Sequence, residues 1–163
     1  MGRMAHLDIT VPVRWTDLDA YGHVNNAAVV RLLEEARIAA FWAPDEEQIA
    51  RGAVRLPTAM GVFDAHAPLL TLIASQRLEY HRPIPYLREG ALVRLWVSRL
   101  GGASLDVDYQ VLRQDDVAAQ QPYVSARTVV VVVDRETQRT ARLDAATREA
   151  LQEYTGEPVA FRS

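Results

Sequence analysis

Apolar and polar positions follow two rhythms along this chain, and the change of rhythm marks its elements. His6 to Arg14 alternates weakly at period two, which predicts a first strand. Pro12, with no N–H to donate, places that strand near a sheet edge. From Ala27 to Trp42 the rhythm turns helical: twelve of sixteen residues are apolar, and Arg31, Glu34, Glu35 and Arg37 are the only charges. So thin a polar strip predicts a helix with most of its circumference covered by protein, roughly 24 Å long at 1.5 Å per residue.

Period two then returns four times. Leu69 to Arg82 predicts a strand with Leu70, Leu72, Ala74, Leu78 and Tyr80 on one face. Ala91 to Leu100 offers Val93, Leu95 and Val97, and Ser104 to Arg113 sets Leu105, Val107, Tyr109 and Val111 against Asp106, Asp108 and Gln110. Tyr123 to Asp134, "YVSARTVVVVVD", is strongly β-branched and reads as an interior strand. The links "RLGGAS" and "RQDDVAAQQP" are short and turn-rich, so the last three strands should form an antiparallel meander. The irregular stretch Ala43 to Pro68 predicts a short helix, Asp45 to Arg51, and a connecting loop. A final helix, Ala145 to Tyr154, would start from Asp144 as cap and stop at Gly156. One strand, a long buried helix and four long strands predict an α+β domain in which one sheet wraps one helix. Valines on both faces of the last strand predict that another subunit covers the outer face.

Composition narrows the possible chemistry. The 163 residues suit a single domain, and 49% apolar with 24% charged residues is a globular balance. The chain contains no cysteine, so thiolate nucleophiles, thiolate metal sites and disulfides are excluded. A net charge of −3 does not leave the basic footprint of a nucleic-acid binder. All 18 Lys-or-Arg positions are Arg, so no single Arg stands out as chosen over Lys for phosphate contact. No apolar run approaches the ~20 residues of a membrane span. The opening "MGRMAHLDITV" lacks a signal peptide's apolar block, and a cytoplasmic protein is the expectation.

The densest polar cluster precedes the long helix, in "RWTDLDAYGHVNN" (Arg14 to Asn26). Asp, Gly and Asn are ordinary turn residues, and Asn25 or Asn26 can cap a helix, so the cluster has a purely structural reading. It also has a chemical one. A helix start offers N–H groups and a favourable dipole to an oxyanion, and a carboxylate beside it can act as general base or nucleophile in acyl transfer.

"TDLDAYGHVNN" followed by a helix carrying "EEAR" resembles the 4-hydroxybenzoyl-CoA thioesterase-type branch of the hotdog-fold acyl-CoA thioesterases. The likeness extends through "YHRPI" (Tyr80 to Ile84), Gly102 with Ser104, and "VVVD" (Val131 to Asp134), spanning about residues 7 to 134. The resemblance implies a curled sheet around one helix, dimers with a continuous ten-stranded sheet, often tetramers, and hydrolysis of an acyl-CoA to acid and CoA without metal or redox cofactor. By position it assigns Asp19 as the catalytic carboxylate and Asp17 as loop-fixing. Gly22, His23 and Val24 become the turn whose N–H groups polarise the thioester carbonyl. Asn26 and Val29 fall beside the substrate, Tyr80 and Pro83 in structural roles, and Arg82, Arg99 and Ser104 are candidates to meet CoA. Val29 and Leu32 stand where relatives often carry aromatics, so acyl preference does not transfer. Two rivals remain: a non-catalytic acyl-CoA-binding module, and a hydratase, which the lack of His in the helix body disfavours. Neither His66 nor His81 has a second ligand in pattern to suggest a metal.

Overall fold

The structure is a computed structural model that describes residues 5–42, 46–52 and 67–163. Strand β1 is Leu7–Val11, β2 Leu69–Tyr80, β3 Ala91–Leu100, β4 Ser104–Leu112 and β5 Val124–Asp134; helix α1 is Asn26–Phe41, α2 Glu46–Ala50 and α3 Ala145–Gln152. The strands form one antiparallel sheet in the order β1-β3-β4-β5-β2. The meander β3-β4-β5 is as the short links require. β2 and β3 are consecutive in the chain yet are not neighbours, because residues 81–90 carry the chain from the β2 edge to the β1 side. This is the hotdog arrangement, an α+β fold with the sheet curled against α1.

Asn25 caps α1: its Oδ1 accepts from the N–H groups of Ala27 at 2.8 Å and Ala28 at 3.1 Å, an interaction that typically contributes about 1 kcal/mol. Of the two candidate caps, Asn25 takes the role and Asn26 is the first helical residue. Ala28, Val29, Leu32, Leu33, Ala36, Ala40 and Phe41 are buried at helical spacing against β1 and β3. The alanines let the helix backbone approach the sheet. Leu33 is fully buried, so Leu33→Ala falls in the range of about 2–5 kcal/mol for an emptied core site. Arg31, Glu34 and Ile38 face outward, so a single chain covers less of the helix circumference than its apolar content predicts.

β1 ends at Val11 rather than Arg14, as Pro12 cannot continue the ladder. It is an edge strand with alternate residues Leu7, Ile9 and Val11 turned inward. β2 forms the other edge, and here the predicted face is corrected. A bulge between Ile73 and Ser75 adds one residue, Ala74, to its pairing with β5. A one-residue shift exchanges the faces of a strand. Leu78 and Tyr80 share the inner face with Val124 and Ala126, whereas Leu70 and Leu72 point outward with Val131 and Val133.

The outer face is also different from expectation. Residues 155–163, beyond α3, cross it from β3 to β2, with Trp96 and Asp108 buried beneath. The outward valines Val129 and Val131 are half-buried with this chain alone. α3 is shorter than predicted, ending at Gln152, and its cap is Asp144, whose Oδ1 accepts from Thr147 N–H at 2.7 Å. α2 matches the expected short helix over its described residues. Asp45 and His66 lie outside the described residues.

Candidate active site

Between β1 and α1 the chain makes two acidic turns in succession. The first is a single 3-10 turn, Trp15–Asp17. Asp17 is 4% exposed, and its carboxylate closes the turn: Oδ2 accepts from the Arg14 backbone N–H at 2.8 Å and Oδ1 from Arg14 Nη2 at 3.0 Å. The hydrogen bond from the Arg14 side chain holds the Asp17 carboxyl below its ordinary range. Its backbone carbonyl accepts from Asn25 N–H at 2.9 Å, which ties this turn to the helix cap.

The second turn is Asp19 to His23. Asp19 N–H donates to the His23 carbonyl at 2.7 Å and Gly22 N–H to the Asp19 carbonyl at 3.1 Å. Asp19 Oδ1 accepts from Tyr21 N–H at 2.8 Å and His23 N–H at 3.1 Å. Gly22 sits at φ +75°, a left-handed conformation that a side chain would strain. The turn is docked on the chain after β2: Val24 N–H donates to the Ile84 carbonyl at 2.8 Å, and His23 bridges Pro85. Asp19 is exposed, and among the described residues its Oδ2 accepts no hydrogen bond.

This geometry corrects the expected donor set. The N–H groups of Gly22, His23 and Val24 are all engaged inside the chain, two of them by Asp19 itself, so they hold the turn together rather than meeting a carbonyl. The first amide of α1, that of Asn26, has no acceptor among the described residues. It follows from capping: Asn25 Oδ1 reaches the second and third helical amides and leaves the first open. Sequence spacing locates the helix start but not which amide the cap leaves over.

Val24 and Val29 meet Tyr80, His81, Arg82, Pro83 and Ile84 around a groove of 250 Å³. The structure thus brings Val29 and Arg82 to the helix start. Arg82 Nη2 donates to the Gln121 carbonyl at 2.6 Å, and its guanidinium lies 4.1 Å over the Tyr123 ring. Tyr123 also lines a larger cleft of 670 Å³ that begins at Pro85 and runs past Arg88 and Arg113. Arg82 therefore stands on the wall between groove and cleft.

Arg99 and Ser104 are not brought here. They lie at the opposite end of the sheet, roughly 26 Å along β3 from Ala91 at 3.3 Å per residue. Arg99 Nη2 donates to Asp106 Oδ1 at 2.8 Å and to Ser104 Oγ at 3.1 Å. The reason is topological: the glycine turn joins the ends of β3 and β4 remote from the two acidic turns. His81 Nε2 is 2.9 Å from Ser125 Oγ. Among the described residues, no group of three or more His, Asp or Glu could hold a metal ion. No helix among them is long and apolar enough to cross a membrane.

The chain is similar over its whole fold to several solved structures. A thioesterase from Thermus thermophilus, solved in complex with coenzyme A and zinc, is 27% identical, with 93% of this chain and 96% of that one covered at a TM-score of 0.63. A protein from Pseudomonas aeruginosa strain PAO1 is 21% identical over 94% and 93% of the two chains, with a TM-score of 0.65. A DHNA-CoA thioesterase from Staphylococcus aureus shares the fold at 14% identity and a TM-score of 0.64, over 93% of this chain and 89% of that one. No curated protein sequence matches at a significant level. The family model of the thioesterase-like superfamily matches residues 13–151, a span that takes in both acidic turns, α1 and the whole meander. The chain belongs to the thioesterase-like superfamily.

Proposed function

We propose that this protein hydrolyses an acyl-CoA thioester to the carboxylic acid and free CoA, with Asp19 as the reacting carboxylate. One observation carries the reading. Asp19 is locked by two amides on Oδ1, while among the described residues Oδ2 has no donor and the first amide of α1 has no acceptor. A thioester carbonyl at this point meets the Asn26 N–H and the positive end of the α1 dipole, which stabilise the oxyanion. Asp19 Oδ2 either takes a proton from the attacking water or adds to the carbonyl carbon to give a mixed anhydride that water then opens. In both routes the thiolate of CoA departs, and a thiolate is a good enough leaving group to need no strong general acid. His23 serves through its backbone, which closes the turn and bridges Pro85.

The apolar groove at Val24 and Val29 is where the acyl group fits, and the open cleft beyond Arg82 suits the longer polar CoA. The solved complex of the Thermus thermophilus thioesterase with coenzyme A supports CoA as the carrier. Self-association is part of this reading. β2 is twelve residues long and, among the described residues, pairs on one side only, with Leu72 49% and Ile73 42% exposed. An edge so long and apolar is a template for another strand. A second copy paired along β2 covers both these side chains and Ile38 of α1 without leaving a new edge.

The test is CoA release from a panel of acyl-CoA esters, read with a thiol-reactive dye. The absence of cysteine from the chain removes protein background. Failure of the folded protein to raise release above the uncatalysed rate on any ester sinks the enzymatic reading. Tight binding without turnover leaves the acyl-CoA-binding module in its place.

A further inference from the structure

A third recess, of 320 Å³, opens between β1 and α1. Its size is at the small end of the range of about 300–1,000 Å³ that holds small molecules. The floor is aliphatic, made by the buried Ile9, Val11 and Leu32 with Ala39 beside them. On α1 the lining residues Arg31, Leu32, Glu35 and Ala39 recur at the three-to-four spacing of a single helix stripe. At 3.6 residues per turn that stripe is centred roughly 100° round the helix from Val29, which lines the groove proposed for the acyl group. The two recesses use different faces of the helix and share no residue.

Four charged side chains stand on its wall: Arg14, Asp17, Arg31 and Glu35. Arg14 and Asp17 are spent on each other, with Asp17 Oδ1 accepting from Arg14 Nη2 at 3.0 Å and Oδ2 from the Arg14 backbone N–H at 2.8 Å. Arg31 and Glu35 are exposed, and among the described residues neither has a hydrogen bond or an ion pair. At a spacing of four residues their Cβ atoms stand about 6 Å apart, so two long side chains can converge on groups carried by one carbon. One open cation and one open anion thus rise above an aliphatic floor. An aliphatic carboxylate would meet Arg31 but set its charge beside Glu35 and Asp17. An aliphatic amine would meet Glu35 but face Arg31 and Arg14. A molecule that carries both charges next to an aliphatic side chain pairs with each open group and leaves no charge over.

We infer that this pocket binds a small aliphatic zwitterion of the α-amino-acid class, with its carboxylate on Arg31, its ammonium on Glu35 and its side chain on the aliphatic floor. The site is connected to the start of α1. Asp17 walls the pocket, its backbone carbonyl accepts from Asn25 N–H at 2.9 Å, and Asn25 caps the helix. An occupant set against the Arg14–Asp17 turn therefore alters the surroundings of the Asn25 amide, which lies outside the pocket lining.

The probes are leucine and three analogues: 4-methylpentanoate, which lacks the ammonium, 3-methylbutylamine, which lacks the carboxylate, and glycine, which lacks the side chain. Titration of the isotope-labelled full chain near neutral pH, followed by amide resonances, reads binding without turnover. A failure here is therefore separate from a failure of the hydrolytic reading. Leucine should saturate with a Kd on the order of 1 mM. Each single-charge analogue should bind at least about fivefold more weakly, the ratio that one exposed ion pair supports. Glycine should bind at least about tenfold more weakly, for want of a buried aliphatic side chain. Arg31→Ala should weaken leucine and 4-methylpentanoate and spare 3-methylbutylamine. Glu35→Gln should weaken leucine and 3-methylbutylamine and spare 4-methylpentanoate. Both positions are exposed on α1, so both variants should fold. The Asn25 amide resonance should move with the same midpoint as binding. Equal affinity of either single-charge analogue and leucine overturns the zwitterion. No saturation by any probe, or leucine binding unchanged in both variants, overturns the site. An Asn25 resonance unmoved at saturating leucine overturns the connection to the helix start.

Discussion

Asp17 and Asp19 lie two residues apart in consecutive turns, yet the fold treats them in opposite ways. The first turn buries its carboxylate and engages both oxygens with Arg14. The second leaves its carboxylate exposed and engages only Oδ1, with amides that fix its direction. The difference lies in what surrounds each group. Asp17 is pinned under the loop by an arginine three residues back and by Asn25 at the helix cap, so its charge is neutralised and its motion lost. Asp19 stands on a turn closed by its own Oδ1 on the Tyr21 and His23 amides, with Gly22 at φ +75°. A charged group held by its own backbone, with one oxygen free, is preorganised for chemistry. One held by a counterion on both oxygens is a staple. The same residue type serves stability in one turn and, in the proposed reaction, supplies the reacting carboxylate in the next.

The largest effect expected from this contrast is on turnover. Asp19→Asn keeps the size and one acceptor oxygen but removes the base and nucleophile, and kcat should fall by a factor on the order of 10² or more. The melting temperature should barely change, since Asn accepts the same two amides. Equal kcat for variant and parent would falsify the catalytic assignment.

Asp17→Asn should do the reverse. It removes the charge opposite Arg14 and should cost about 1–2 kcal/mol, or roughly 3–6 °C in melting temperature, with a modest loss of activity that follows the loop. The pH dependence has a defined sign. Because the folded carboxyl is depressed, its stabilisation is complete above the ordinary carboxylate value of about 4 and fades as pH falls through the lower folded value. The gap between parent and variant should therefore be widest near neutrality and shrink below about pH 4. A gap that grows on acidification removes the ion pair from the account.

Arg82→Ala should raise KM about fivefold and change kcat less, as contacts remote from the thioester contribute mainly uniform binding. A drop in kcat with KM unchanged moves Arg82 from CoA to positioning the groove. The smallest effect belongs to Arg99→Ala. Its ion pair with Asp106 is exposed and remote from the turns, and stability should change by at most about 1 kcal/mol with KM constant. A clear rise in KM would place Arg99 at the site of a neighbouring copy.

The local pattern of the sequence determined much of this molecule. Period-two and helical spacing are short-range signals, and they located β1, α1, the meander and the capped start of α3 to within a few residues. Gly22 and the two Asp residues marked the loop because turn chemistry is local. What the sequence could not hold was anything decided by register or by distant backbone. The bulge at Ala74 exchanges the faces of β2, and no side chain announces it. The cap at Asn25 determines that Asn26, rather than Gly22, His23 or Val24, has the open amide. The crossover of residues 81–90 brings Arg82 beside Val24 and Val29 at the helix start and leaves Arg99 and Ser104 at the far end. The tail "TGEPVAFRS" shows no strand rhythm, yet its amides and Phe161 find Asp108, Arg127 and Arg77 from three different strands. Those partners lie tens of residues away, and only the closed tertiary structure puts them in reach.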